Sequence, residues 1–297
     1  MNKYHDYKTT KHDYNFAFLD EGSKREIRRA IIKAISIPGY QVPFGSRELP
    51  IGRGWGTGGI QITLSIIGPD DILKVIDQGS DDSVNAISIK KFVNACTGVG
   101  ITDDSAIATI IQSRHRIPEE KLRDGQVLVL QVPNPEPLRV VERSLAKTRR
   151  MHADMEYSAA WLTLYEQIIR YGRITMNASY PVMVDGRYVM SPSPIPRYDT
   201  MQLNDSDCLY LFGAGREKMI YAAPPHTRIA PLDFEDYKFE IEAVEGRKCR
   251  ICGASGVFFD EMYDAGSEER YYQCSDSGFC KKKRRDANER IGICNRL

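Results

Sequence analysis

Neither a secretory signal nor a membrane span is expected of this sequence. The opening residues, MNKYHDYKTTKHDYNF, are polar and charged with no apolar core of a signal peptide. Nowhere does the chain approach the roughly 20 uninterrupted apolar residues that a span needs. Strong charge of one sign is missing too: the net charge is +1, which argues against general attraction to nucleic acid or anionic lipid. No H-x-x-x-H pair occurs among the five histidines, and no dinucleotide fingerprint or P-loop is present. Internal repeats and low-complexity tracts are also lacking. Seven cysteines, an odd number, suit thiols and metal ligands better than a disulfide frame. The expected compartment is therefore the cytoplasm, with neither membrane nor nucleic acid as a partner.

What is present has the makings of a core, with hydrophobic residues at 42%. After a polar tail, SKREIRRAIIKAISIPG predicts a helix. Ser23 and Glu26 have capping-box spacing. Ile27, Ala30, Ile31, Ala34 and Ile35 form one apolar face, and Pro38 stops the helix. Ile37-Pro38-Gly39-Tyr40 reads as a turn whose type II geometry wants glycine at its second central position. A strand is expected over Ile60 to Ile67, while residues 71–77 and 88–97 fit either a helix or a strand. DDSAIATIIQS reads as helical, QVLVLQV as a strand, and VDGRYVM as a hairpin about Asp185-Gly186. A charged helical segment near 138–184 interrupts two β-rich stretches. The expected class is α+β (mixed α/β): a sheet-rich core, a helical insertion and a small C-terminal cysteine-bound module. The expected divisions are 1–137, 138–184, 185–240 and 241–297.

The strongest chemical signal is Cys249-x-x-Cys252 followed by Cys274 and Cys280. A C-x-x-C turn lets two thiolates converge on one metal, and a distant pair can close the site. Spacing alone leaves a zinc knuckle and an iron–sulfur centre both open. The five-residue gap before Cys280 hints that this thiol differs from the other three. Lys281 to Arg285 follow directly, as a solvated helix face or as a helper for an anion. Gly56 and Gly58 in GRGWGTGG, Arg216 in GAGREK, and His115 between Arg114 and Arg116 are candidate anion contacts. Each also reads plainly as a turn or surface residue. Cys96 is expected to be a core thiol.

Taken together, IPGYQVPFG, GWGTGGIQ, KVIDQGSDD, RHRIPE, QVPNPEPLR, DGRYVMSPSPIP, LFGAGREK and CRICG…CSDSGFC occur in order. In this combination the chain resembles the catalytic subunits of bacterial carbon–phosphorus lyase, from about residue 14 to about residue 285. The resemblance implies a radical S-adenosylmethionine enzyme that splits α-D-ribose 1-methylphosphonate 5-phosphate into methane and 5-phosphoribosyl 1,2-cyclic phosphate. By the same resemblance, Cys249, Cys252 and Cys274 would hold a [4Fe–4S] cluster, with zinc able to take those cysteines in aerobic preparations. Gly39 would carry a glycyl radical and Cys280 a thiyl radical. The resemblance also implies a heteromeric core complex and an ABC-type ATPase docked through the 138–184 insertion. The substrate would be a phosphorylated ribose phosphonate. Cys208, Cys294 and His226 match none of these roles. The rival expectation from the residues alone is a zinc-ribbon binding module or a structural subunit.

Overall fold

The computed structural model describes residues 21–40, 42–43, 57–77, 80–114, 117–131, 182–190, 200–214, 219–231 and 246–294. The first helix, α1, spans Glu21–Ser36 and buries Ile27, Ala30, Ile31 and Ala34, with Ile35 packed beside them. Its apolar stripe is the one predicted. The start is not: Ser23 lies inside the helix and is buried, so the Ser23–Glu26 capping box does not form. At the other end Tyr40 N–H donates to the Ile37 carbonyl at 3.0 Å and Gly39 has φ +79°. This is the expected type II turn, with Pro38 supplying the fixed φ of its first central position.

Strand β1 (Val42–Pro43) follows, then helix α2 (Thr57–Ile66), strand β2 (Ile72–Ile76) and helix α3 (Val84–Thr97). The expected strand at Ile60–Ile67 is thus corrected to a helix. Its Ile60, Gln61, Ile62, Thr63 and Ser65 are all buried, so the sequence shows no polar stripe from which a helical period could be read. Helix α3 is capped at both ends as the chemistry favours. Ser83 accepts the Ala86 N–H, and Gly98 takes the left-handed conformation at its exit.

Strands β3 (Gly100–Ile101), β4 (Ile110–Ser113) and β5 (Val127–Gln131) come next. Residues 103–109, expected to be helical, are turns leading into β4. The β6–β7 hairpin (Val182–Val184, Tyr188–Met190) turns where predicted. Asp185 and Gly186 have φ +50° and +65° there, as a primed turn demands. A short helix α4 (Thr200–Leu203) precedes β8 (Leu209–Ala214), β9 (Met219–Ala223) and β10 (Ile229–Pro231). The chain ends in the β11–β12 hairpin (Phe259–Asp264, Glu269–Cys274) and helix α5 (Ser277–Cys294).

The main sheet has the order β1-β9-β8-β5-β4-β2-β3. Its members from β8 to β3 are parallel; β9 pairs antiparallel with β8, and β1 antiparallel with β9, so that β9 alone runs against the rest. Alternation along each strand sends residues to opposite faces. Leu73, Val75, Ile110, Val129, Leu211, Ile220 and Ala222 meet α1, α2 and α3. Ile111, Leu128, Leu130, Tyr210, Phe212 and Tyr221 face the small sheet β10-β6-β7. Each large side chain removed from water in these two cores contributes about 1.5–3 kcal/mol. The architecture is mixed α and β in three layers, with the cysteine-bearing module at one edge. The 138–181 stretch of the expected insertion lies outside the described residues. No described helix is long and apolar enough to cross a membrane.

Candidate metal centre

The four C-terminal cysteines converge. The Cys249 Sγ lies 3.8 Å from the Cys280 Sγ, and Cys252 Sγ lies 3.5 Å from Cys274 Sγ. All four sulfur atoms fall within 4.8 Å of one another. Cys249 and Cys252 sit on a tight turn in which Gly253, at φ +71°, donates its N–H to the Cys249 carbonyl at 2.9 Å. Cys274 ends β12 and Cys280 lies in the first turn of α5.

The electrostatics of the tetrad are uneven. Burial pushes the Cys249 thiol up, but the N–H groups of Cys252, Cys274 and Ile251 aimed at its sulfur outweigh it and bring the thiol down to about 7. Burial, followed by hydrogen bonding with and charge on Cys252 and Cys249, pushes Cys280 up to about 12. Cys274 is driven upward by the same causes. Burial first, and like-charge repulsion behind it, thus lets few of the thiols ionise unaided. A cation at their centre removes that repulsion.

Sulfur donors of this kind select thiophilic metals. Around one tetrahedral ion with bonds of about 2.3 Å, neighbouring sulfurs stand about 3.8 Å apart, which is close to the separations here. A cubane cluster, with its irons at separate corners, holds its thiolates further apart. The residues therefore fit a metal centre, and the sulfur spacing is that of a single ion. In this arrangement Cys280 belongs to the tetrad as closely as its neighbours do.

The module docks over the carboxyl ends of parallel strands, where open α/β sheets bind their ligands. Asp81 follows β2, Asp103 follows β3, and Glu119 and Glu120 follow β4. Lys74 of β2, whose side chain is 0% exposed, donates to the Asp276 Oδ1 at 2.8 Å and to the Asp103 carbonyl at 2.7 Å. Its ammonium is 3.7 Å from the Asp81 Oδ2, and that carboxylate is also 0% exposed. Asp276 caps α5 by accepting the Phe279 N–H at 3.1 Å. Glu119 accepts the Phe258 N–H at 2.9 Å. The basic run is partly engaged in the same dock: Lys281 pairs with Asp103, and Lys282 with Glu120 at 2.6 Å. Lys283 stands 5.7 Å from the centre of the Phe279 ring. The run is thus more than a solvated face. The Asp276 cap was readable from Ser-Asp-Ser before Gly278. Nothing local in ILKVI marks Lys74 as buried.

Gly39 is elsewhere. Its N–H donates to the Ala222 carbonyl at 2.9 Å. Ala222, Leu211, Val129, Gln112 and Val75 form one row across the sheet. At about 4.8 Å per strand, that row alone spans roughly 19 Å. Gly39 lies beyond its β9 end and the thiol centre hangs from β2 at the other. Gly58 is buried at the start of α2, close against Gly213 of the second glycine motif. The neighbouring Gly59 N–H donates to the Gln131 Oε1. Gly56, His115 and Arg216 lie outside the described residues. Cys208 is a buried core thiol donating to the Gln126 carbonyl at 3.1 Å. Cys96 is exposed, contrary to the core position expected of it; it lies in the last turn of α3, beyond the buried Ala86, Ile89 and Val93.

The fold and site define a class: a mixed α/β protein carrying, at the carboxyl edge of its sheet, four converging thiols that could hold a metal ion. The chain belongs to the family described as phosphonate metabolism protein PhnJ, whose model matches residues 12–286. It is 55% identical over 271 residues to the "Alpha-D-ribose 1-methylphosphonate 5-phosphate C-P-lyase" of Rhizobium meliloti (strain 1021), covering 91% of each chain. It is 51% identical over 276 residues to the protein of nearly the same name from Escherichia coli (strain K12), covering 93% of this chain and 98% of that one.

Proposed function

We propose that this chain is a carbon–phosphorus lyase acting on α-D-ribose 1-methylphosphonate 5-phosphate in phosphonate metabolism, and that it works by radical chemistry. The observation that carries the reading is the convergence of Cys249, Cys252, Cys274 and Cys280 in a chain whose relatives bear that activity in their names. Cys249, Cys252 and Cys274 would hold a [4Fe–4S] cluster. Bound there with S-adenosylmethionine, the cluster supplies a carbon radical able to abstract hydrogen.

The chain's own residues then act in turn. Gly39 gives up a Cα hydrogen, because a planar radical at glycine meets no side-chain clash. The glycyl radical takes the hydrogen of the Cys280 thiol, regenerating Gly39. The Cys280 thiyl sulfur attacks phosphorus, forming an S–P bond as the P–C bond breaks and a methyl radical leaves. That radical takes a hydrogen from Gly39, giving methane and restoring the glycyl radical. The ribose 2-hydroxyl displaces the Cys280 thiolate from phosphorus and closes the cyclic phosphate. Gly39 and Cys280 must come into contact for this relay, so it requires an arrangement other than the one in which the breadth of the sheet separates them.

Gly56, Gly58, His115 and Arg216 would contact the substrate phosphate, Gly58 from the first turn of α2. The partners would be the other subunits of a lyase core complex, with an ABC-type ATPase bound to the 138–184 insertion. The divisions at 1–137, 138–184, 185–240 and 241–297 follow that scheme. A structural tetrathiolate ion is the second reading, favoured by the single-ion spacing of the sulfurs. Anaerobic reconstitution separates the two. A brown protein that keeps its cluster in Cys280→Ala but loses methane release supports the lyase. A colourless protein with stoichiometric zinc under those conditions refutes it, and methane from Cys280→Ala refutes the thiyl role of Cys280.

A further inference from the structure

The five residues between Cys274 and Cys280 are gripped by the core. The Ser275 carbonyl accepts from the Asp81 N–H at 3.4 Å and from the Ser80 hydroxyl at 3.2 Å. Asp276 takes Lys74 on one carboxylate oxygen and the Glu119 N–H, at 3.3 Å, on the other. Ser277 donates its N–H and its hydroxyl to Asp81, each at 3.0 Å. Gly278 lies so close to the Asp103 carbonyl that a Cβ would overlap it. The Cys280 N–H then closes the first helical bond to the Asp276 carbonyl at 3.1 Å. A two-residue knuckle spacing would leave no room for this grip.

We infer that Lys74 and Asp276 are positioning residues for Cys280: their buried ion pair fixes the spacer and the first turn of α5 to the sheet edge, and thereby presents this thiol to the other three. The stretched spacing is thus an anchor as well as a separation. The proposal rests on the lyase reading for the importance of Cys280, and not for the geometry. A buried cation with a single well-placed carboxylate is costly to disturb. The disturbance should be felt first at α5, whose cap Asp276 also provides.

The test is peptide-resolved alkylation of the full-length chain, reduced and freed of metal, using iodoacetamide. Cys280 is 4% exposed and Cys208 is 0% exposed; Cys208 lies in the sheet core and reports global opening. In the near-isosteric Asp276→Asn, Cys280 should react roughly tenfold faster or more, the effect of weakening one buried charge-assisted contact, while Cys208 keeps its rate. Lys74→Met should give the same selective pattern, and Asp276→Asn decides alone if that variant does not fold. Cobalt(II) added to Asp276→Asn should show weaker sulfur-to-metal charge transfer than the four-thiolate spectrum of the parent. An unchanged Cys280 rate, equal acceleration of Cys280 and Cys208, or an unaltered cobalt spectrum would each overturn the proposal. Failure of the lyase reading shows differently: the reconstituted parent would release no methane, while Cys280 would still alkylate selectively faster in Asp276→Asn.

Discussion

Replacing Gly39 by alanine tests how much of this position is fold and how much is chemistry. At φ +79° an L side chain is strained, at roughly 1–2 kcal/mol. The added Cβ would also stand 2.8 Å from the Cβ of Val184 and 2.9 and 3.0 Å from its methyl groups. Val184 is itself buried in the core, so it has little room to yield. Overpacking of this kind costs about 1–3 kcal/mol. The sum, about 2–5 kcal/mol, is a large share of a typical 5–15 kcal/mol stability. In urea the midpoint of the core transition should fall by about 1 M with little change in slope. Trimming the neighbour should recover the steric part: Gly39→Ala with Val184→Ala should be more stable than the sum of the single effects, by about 1 kcal/mol or more. A Gly39→Ala midpoint within error of the parent would refute the reasoning, because it would mean that the turn relaxes at no cost. The practical consequence concerns the radical assignment. An inactive Gly39→Ala is uninformative unless folded, whereas an inactive double variant with a native-like melt isolates the loss of the glycyl hydrogen.

Other outcomes follow from the same geometry. Gly278→Ala should loosen the module from the sheet, since the Asp103 carbonyl that its Cβ would meet is backbone; faster proteolysis between β12 and α5, with the core intact, would show it. Metal binding should displace protons from Cys280, raised to about 12, and from the still higher Cys274. Apparent affinity should therefore climb as pH rises, with more than one proton released per metal in a pH-indicator titration; a pH-independent affinity would contradict the thiol electrostatics. Burial raises the Cys208 thiol to about 12. The folded state thus holds that proton more tightly than the unfolded chain, so the contribution is complete below the free-thiol value and is lost as pH climbs through about 12. Cys208→Ala should flatten this alkaline decline in a series of denaturant melts.

Much of the local structure was legible. The apolar stripe of α1, the Pro38-Gly39 turn and the Asp185-Gly186 hairpin all follow from short-range chemistry, and all form. The failures share a cause. Residues 60–63 and 65 are buried and Leu64 and Ile66 partly so, which leaves no polar stripe, and their branched side chains read as a strand although they form α2. Ile110–Ser113 fooled the helical reading because a strand in a parallel sheet, covered on both faces, need not alternate. The convergence of the four thiols was signalled by cysteine spacing. The role of the spacer was not, because Lys74 meets Asp276 across 202 residues of sequence and no window of sequence holds both. The sheet order that puts Gly39 and Cys280 at opposite edges is equally non-local.

That long separation bears on how the molecule comes into being. Lys74 belongs to β2, the strand next to the edge strand β3, yet the carboxylate on which its ammonium rests is supplied 202 residues further along the chain. During synthesis the β2 strand emerges long before Asp276 exists, and a lone buried ammonium is strongly disfavoured. Asp81 arrives early but stands 3.7 Å away, too far for a close hydrogen bond. The carboxyl edge of the sheet should therefore stay wet and unfinished until α5 leaves the ribosome. Its closure and the gathering of the thiols then become one late event, so that a chain truncated before the spacer would lack not only its metal ligands but also the last piece that lets its sheet dry.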